Sequence, residues 1–427
     1  MNVAEKTLLW AMVSMAGLSG VPMSHAGSAL NASRSGDVSD SSVEVVHFWV
    51  STSEKKSLDV YRRAWKNQGG RWNDVPTKDK VSEVKLITDR VANGYPPSVM
   101  QWHANEGSKE LPAMGVVQDI EEVAVEDHWR DFLPANIVDQ ISYKGRIYFA
   151  PVNIHAENWL WYSKKIFDKL KLPAPNTWEG LLASAAKIKA AGYTPIALGE
   201  GAWEISLIFN DIIYSLYGHE AYVRLMGGGD PQAAMSPHML TALGMLRRIS
   251  AFAEPVRKNK NWADAALSVG QGRAAMQFMG DWVKGELTEA GLALDKDYQC
   301  LLAPGTESVY FVVVDAFAFP ITNHDNDRRS QLLFARQVMN TDNQLAFNRV
   351  KGSIPVRTDI QRQHLDSCGK IGLELMSRKG KQVSAQSMTM PSHMSEGWIG
   401  VVADFFNNPK VTPEAAQRQL AEVLSQK

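Results

Sequence analysis

Hydrophobic and polar positions along this chain fall into two alternating rhythms. At 43–50 the run VEVVHFWV is dense in β-branched and aromatic residues, as a strand requires, and it breaks at once into the polar STSE. Positions 54–67 then carry Leu58, Tyr61 and Trp65 on one helical face. A second helix is predicted over 81–92, closed by Asn93-Gly94 and the Pro96-Pro97 pair. SVMQWH reads as a short buried strand, and GRIYFAPVNIH as an extended segment that follows Lys144. Thr177 is placed to cap a helix with Trp178, Leu181, Ala185 and Ile188 inward, stopped by Gly192, and the strand TPIALG follows. Strands and helices in this order predict an α/β fold with mostly parallel sheets.

Two apolar runs differ from the rest because each is interrupted by a polar residue. Tyr148–His155 contains Pro151 and Asn153, and VYFVVVDAFAFPI is broken only by Asp315. Both read as chain crossings between lobes. Ligands of open α/β sheets bind outside the C-terminal strand ends, so polar residues near these ends are site candidates.

At 427 residues the chain exceeds one ordinary hydrophobic core, and two lobes are expected. Hydrophobic content of 45% and charged content of 21% are those of a water-soluble globular protein. A formal net charge of −1 argues against nucleic acid as the main partner and suits a neutral ligand. The N-terminus reads as an export signal over 1–26, with an apolar run at 7–23 and small residues around Ser24-His25-Ala26. A membrane anchor is the alternative, but Gly17, Gly20 and Pro22 interrupt the run and it is short for a span. A flexible Ser/Asn/Gly-rich leader is expected over 27–42. In a chain released into an oxidising compartment, the two cysteines, Cys300 and Cys368, are expected to form a disulfide, with two buried thiols as the alternative.

Enzyme signatures are missing. There is no G-x-S-x-G, no GxxxxGK[ST], no G-x-G-x-x-G after a strand and no H-E-x-x-H, and the histidines lack metal-ligand spacing. Neither metal nor cofactor is expected. A secreted glycoside hydrolase remains the competing reading, with Glu54 and Asp315 as its two carboxylates. What recurs instead is tryptophan beside hydrogen-bonding residues: Trp49 near Glu54, Trp102 between Gln101 and His103, Trp159 and Trp161 after Asn153 and His155, Trp203 after Glu200, and Trp282 after Asp281. A sugar ring has apolar C–H faces and an equator of hydroxyls, so it needs aromatic faces with donors and acceptors in its plane. Each tryptophan taken alone reads better as core than as a ligand contact; the set points to carbohydrate.

At these residues the chain resembles a glucose-type periplasmic solute-binding protein of a bacterial ABC importer. More broadly it resembles the family-one, carbohydrate-uptake class of extracellular solute-binding proteins. The resemblance runs from Val43 to the C-terminus and rests on PPSVMQWHA, YKGRIYFAPVNIHAENWLWY, TPIALGEGAW, QGRAAMQFMGDW, DYQCLLAPGT and FNRVKGSIPVRTD. It implies the type II, maltose-binding-protein-like fold, in which two α/β lobes are joined by a three-crossing hinge around an interlobe cleft. The first lobe would hold 43–149 and 320–349, the second 151–314 and 350–427. The family's sugar-binding positions fall on Trp49 for stacking, Glu54 as a hydroxyl acceptor, the strand-end pair Gln101 and His103, and Asn153 in the hinge. Trp282 would supply the opposite stacking face, with Asp315 and Lys351 making charged hydrogen bonds. His155, Trp203 and Asp281 are further candidates; His155 either orients the hinge or reaches the sugar. The implied partners are a monosaccharide, glucose or a related hexose, and the permease subunits in the inner membrane, with the receptor a periplasmic monomer that is not an enzyme.

Two positions depart from the family pattern. Phe48 stands where a tandem Trp-Trp is usual, and Gln386 stands where a C-terminal histidine is expected, with His393 able to substitute only if its loop is rearranged. Glutamine offers a donor and an acceptor without a titratable charge. Both departures bear on which hexose is chosen and whether a disaccharide is admitted. His47 reads as a packed or surface imidazole, Gly227–Gly229 as a loop, and EAAQRQLAEVL as a docking helix.

Overall fold

The computed structural model describes residues 38–256, 258–322 and 325–426. The expected export signal and the leader through residue 37 lie outside the described residues. Within the described residues Val38 is buried among apolar side chains, and the first strand, β1, spans Ser42–His47.

The first half of the molecule is built on β1, β2 (Arg71–Pro76) and β3 (Val99–His103), with helices α1 (Thr52–Asn67) and α2 (Lys80–Ala92) between them. β1 pairs in parallel with both β2 and β3. Helix α1 forms because its apolar residues fall on one side; Leu58, Tyr61 and Trp65 are buried there, as their spacing predicts. The chain then leaves along β4 (Phe149–Ala156) into a second unit. There β5 (Trp159–Ser163), β6 (Thr194–Ile196), β7 (Ala274–Phe278) and β8 (Tyr298–Leu302) form a sheet in the order β8-β5-β7-β6. It returns along β9 (Tyr310–Ala318), antiparallel to β4 and β3, and crosses again just after helix α3 (Thr341–Lys351), where Ile354 bridges Ile154. β10 (Gln382–Ser384) pairs in parallel with the start of β9.

The alternating pattern predicted mostly parallel sheets, but the sheets are mixed. The reason is topological: a chain that leaves a lobe on one strand and re-enters on its neighbour must run antiparallel to it.

β9 shows how the two cores part. Along one face of this strand Phe311 and Val313 join the core of the second unit, and Phe317 joins the first. Asp315 lies between them on that face. The opposite face, with Val312, Val314 and Ala316, belongs to the first core, which continues behind the hinge to Trp159, Trp161 and Tyr310. The single acid in an otherwise apolar strand thus stands at the gap between two cores.

Cys300 on β8 and Cys368 are bonded, which ties the segment after the third crossing to the second sheet. At a sequence separation of 68, the bridge constrains the unfolded chain by about 4 kcal/mol in the loop-entropy description. Among the described residues no helix is long and apolar enough to cross a membrane.

Candidate functional site

Between the two units lies a cleft of about 500 Å³. Of the candidates from the sequence, Phe48, Trp49, Glu54, His103, His155, Trp203, Trp282, Asp315 and Lys351 border it. Gln101, Asn153, Asp281, Gln386 and His393 do not.

Sheet register sets the floor of this cleft. Asp315 stands opposite His103 on β3 and opposite Asn153 on β4, where the pairing shifts by one residue between Asp315 and Ala316. Such a bulge re-aims side chains. His103 Nε2 lies 3.2 Å from Asp315 Oδ1, while His155 Nε2 and Asn153 Nδ2 lie 3.3 and 3.1 Å from Oδ2. Burial alone raises a carboxyl, but hydrogen bonds from the two imidazoles outweigh it and hold Asp315 well below the usual carboxylate range. An ionised carboxylate has about four acceptor positions, so with three donors in reach Asp315 keeps room for one more.

The two histidines behave differently. Burial lowers His103, and Lys80, whose Nζ is 3.4 Å from Nδ1, lowers it further. The neutral ring donates from Nε2 to Asp315 and accepts at Nδ1. Burial also acts to lower His155, but the Asp281 carboxylate against its Nδ1 reverses this and raises it. Asp281 is itself buried and takes a hydrogen bond from the Tyr310 hydroxyl at 3.3 Å. It stands behind His155 and fixes the proton on Nδ1, leaving Nε2 to face Asn153 and Asp315. Gln101 is similarly recessed: its Oε1 accepts from the backbone N of Phe48 at 3.1 Å and orients the turn after β1.

That turn is a capping box. Ser51 caps α1, and Glu54 Oε2 reaches back to the backbone N of Ser51 at 3.1 Å and of Val50 at 3.2 Å. Glu54 Oε1 accepts from Lys351 Nζ at 3.0 Å, and Lys351 is 3% exposed. Burial raises the Glu54 carboxyl, but Lys351 and the Ser51 amide overcome this and lower it. The S-x-x-E spacing of Ser51–Glu54 signals the cap, a role the sequence reading did not assign to Glu54.

Trp49 is 1% exposed and wedged between Phe317 and Phe347, with ring centroids at 5.7 and 5.5 Å. Only its margin touches the cleft. Phe48, one residue earlier, is half-buried and meets His103 edge-on at 5.8 Å. Across the cleft Trp282 is central to an aromatic group, 6.2 Å from Trp203, 6.4 Å from Trp262 and 5.3 Å from His155. Its ring and that of Trp203 fold back over Gly280 and Gly201, where a Cβ would collide with them. Two Gly-x-Trp triplets thus lay indoles flat along the second wall, a signal the sequence carries.

Several lining residues were not anticipated: Lys78, Asp79 and Lys80, Glu157, Trp262 and Ser387. Gln386 turns inward and donates to Ser395 Oγ at 2.8 Å, so its neighbour Ser387 reaches the cleft instead. Ser387 Oγ donates to Glu157 Oε1 at 2.7 Å. Burial pushes the Glu157 carboxyl up to about 7. The two carboxylates of the glycoside-hydrolase reading are both held ionised, whereas that chemistry needs one kept protonated. Among the described residues no cluster of His, Cys, Asp or Glu suits a metal ion.

Residues 66–327 match the family model of the bacterial extracellular solute-binding proteins. A probable sugar-binding periplasmic protein of Rhizobium meliloti is 31% identical over 90% of this chain and 94% of its own length. One of the same description from Brucella suis is 30% identical over 90% and 92%. Among solved structures, a chitin oligosaccharide binding protein superposes with a TM-score of 0.77 at 17% identity, covering 90% of this chain and 98% of its own. The solute receptor AcbH, described with a preference for β-D-galactopyranose, gives 0.74 at 15% identity, covering 89% and 97%. At these identities the two structures establish the two-lobe fold alone.

Proposed function

The chain belongs to the bacterial extracellular solute-binding proteins, and from that membership we propose that it is the periplasmic sugar receptor of an ABC importer. In this reading a cleaved export signal releases a monomer that takes a hexopyranose, glucose or a related hexose, between its lobes. The observation that carries it is the pairing of an aromatic wall around Trp282 with a facing wall of fixed donors and acceptors: Glu54, Lys351, His103 and Asp315. Trp282 and Phe48 supply faces for the apolar C–H surfaces, and the charged groups bind the hydroxyl equator. A ligand that touches both walls stabilises the closed arrangement by its differential affinity for it, and closure presents a joint surface to the permease subunits.

A thermal-shift screen over hexoses, pentoses and sugar acids tests this, because a ligand of the native state raises the melting temperature with the logarithm of its concentration. The expected result is a concentration-dependent shift with a neutral hexose, lost in Asp315→Ala protein that remains folded. If no sugar shifts the wild type, the reading fails.

A further inference from the structure

Behind the cleft the support of His155 runs further than Asp281. The Asp281 carboxylate is held at both ends. Its Oδ1 meets His155 Nδ1, and its Oδ2 accepts from the Tyr310 hydroxyl at 3.3 Å and from the backbone N of Ala156 at 3.4 Å. Tyr310 is the first residue of β9, the strand that carries Asp315. It is buried, and burial keeps its proton well above the usual tyrosine range, so the hydroxyl stays a donor to Asp281. A phenolic hydroxyl has one proton to donate, so the place of its ring decides which carboxylate orientation is bonded.

The helix Ser367–Ser377, in the segment after the third crossing, holds that ring in place. Cys368, Gly372 and Leu375 recur at helical spacing and form its buried face. Gly372 meets the tyrosine: a Cβ there would stand 2.7 Å from the Tyr310 Oη and 3.0 Å from its Cζ. Glycine is a poor helix former, and here it permits an approach that any larger residue would prevent. The backbone is tied as well, since the N of Tyr310 donates to the carbonyl of Lys381 at 2.8 Å, just beyond the helix. Two ties pin the start of the helix to the second unit. Cys368 is bonded to Cys300 on β8, and Asp366, the N-cap, pairs with Lys284 Nζ at 2.7 Å. The backbone N of Lys284 donates to the carbonyl of Asp281 at 3.0 Å, so this pair also reaches the Asp281 turn.

We propose that Tyr310 is a positioning residue for the sugar cleft and that the disulfide-held helix Ser367–Ser377 sets its hydroxyl. The path runs from Cys368 and Gly372 through Tyr310 and Asp281 to His155, and of these only His155 borders the cleft. A segment outside the cleft thereby tunes affinity through the orientation of one imidazole. The proposal rests on the sugar-receptor reading and deepens it.

Calorimetric titration with glucose, galactose and mannose tests it, together with nitrogen and proton NMR of His155 in the sugar-free protein. Tyr310→Phe keeps the ring and removes the hydroxyl. The hexose that binds the wild type is expected to bind this variant about fivefold more weakly, as for loss of one neutral hydrogen bond. The Nδ1 proton signal of His155 is expected to shift and to broaden through exchange, which a change of packing alone would not produce. Gly372→Ala, which drives a methyl group against the hydroxyl, is expected to weaken binding about threefold by itself and to add nothing when combined with Tyr310→Phe. Cys300→Ser together with Cys368→Ser is expected to reproduce the broadening, and serves if Tyr310→Phe does not fold. An unchanged affinity or an unchanged His155 signal in Tyr310→Phe overturns the proposal and leaves the sugar-receptor reading intact. So do additive losses for Gly372→Ala and Tyr310→Phe, because the glycine then acts independently of the hydroxyl. If none of the three hexoses binds the wild type, the hexose-receptor reading falls and the proposal falls with it.

Discussion

The two walls of the cleft are built on opposite plans. On the first-lobe side nearly every polar group already has a protein partner: Glu54 holds Lys351 and the start of α1, and Asp315 holds His103, His155 and Asn153. On the second-lobe side the half-buried indoles of Trp203 and Trp262 stand around that of Trp282, with Glu157 and Ser387 as the nearby polar pair. The difference teaches where selectivity and affinity reside. Side chains fixed by their neighbours bind hydroxyls without first losing rotamer freedom, which favours discrimination. Broad aromatic faces are tolerant of which hydroxyls point where and contribute area.

The aromatic pair at the end of β1 offers the sharpest way to break that contrast. Trp49 is a core side chain, so Trp49→Ala leaves a large void and is expected to cost about 3–5 kcal/mol of stability. Chemical denaturation reads this directly. Phe48→Ala, truncating a half-buried ring, is expected to leave most of the stability in place and to weaken sugar binding instead. If the two variants behave alike, the first wall is not divided into core and contact residues.

Next in size is the second wall. Trp282→Ala removes the ring that Trp203, Trp262 and His155 share, and sugar affinity is expected to fall by about 2–3 kcal/mol, roughly thirty- to a hundred-and-fifty-fold. Calorimetry measures it, and Trp262→Ala should cost less because that ring meets only the edge of the group. A loss below threefold for Trp282→Ala places the apolar contact elsewhere.

Much of this arrangement was legible. The lone Asp315 in VYFVVVDAFAF marks the point where the two cores separate, because an ionised side chain is tolerated in such a strand only where apolar packing gives way to a cleft. The Gly-x-Trp triplets at 201–203 and 280–282 lie beside candidate stacking residues. What escaped the sequence are single-residue choices of direction. Neighbours on a strand or turn face opposite ways, and nothing in Phe48-Trp49 or Gln386-Ser387 says which member faces the gap. Phe48 stands more open to the cleft than Trp49, whose ring packs in the core, and Ser387 borders the cleft in place of Gln386, for that reason. Trp262 and Lys80 come from segments far from any recognised motif, and only the folded chain brings them to the cleft.

A smaller effect separates contact from positioning on the first wall. Asp281 does not border the cleft but fixes the proton on His155 Nδ1. Asp281→Asn removes the charge that raises His155, so binding is expected to weaken by about tenfold, as for loss of one charge-assisted hydrogen bond. The pH midpoint of binding should also move to lower pH. Nitrogen chemical shifts of His155 report the tautomer; an unchanged pH profile with weaker binding assigns Asp281 a structural role only.

A last effect, on stability and not on binding, is specific to the second wall. Glu157 is buried beside Ser387, with His155, Asp211 and Tyr222 among the titratable groups that interact with it. Its carboxyl is raised from 4.5 to about 7. The folded chain therefore holds this proton where the unfolded chain has released it, and stability must fall as pH rises from about 4.5 to 7. The slope is opposite to that from Asp315, whose lowered value makes stability rise with pH below the ordinary carboxyl range. Glu157→Gln keeps the shape and the Ser387 contact but removes the titration. Its melting temperature is expected to match wild type near pH 4.5 and to exceed it progressively toward pH 7 and above. A constant offset between the two proteins over that window means that Glu157 is ionised in the folded cleft, and that the second wall is as charged as the first.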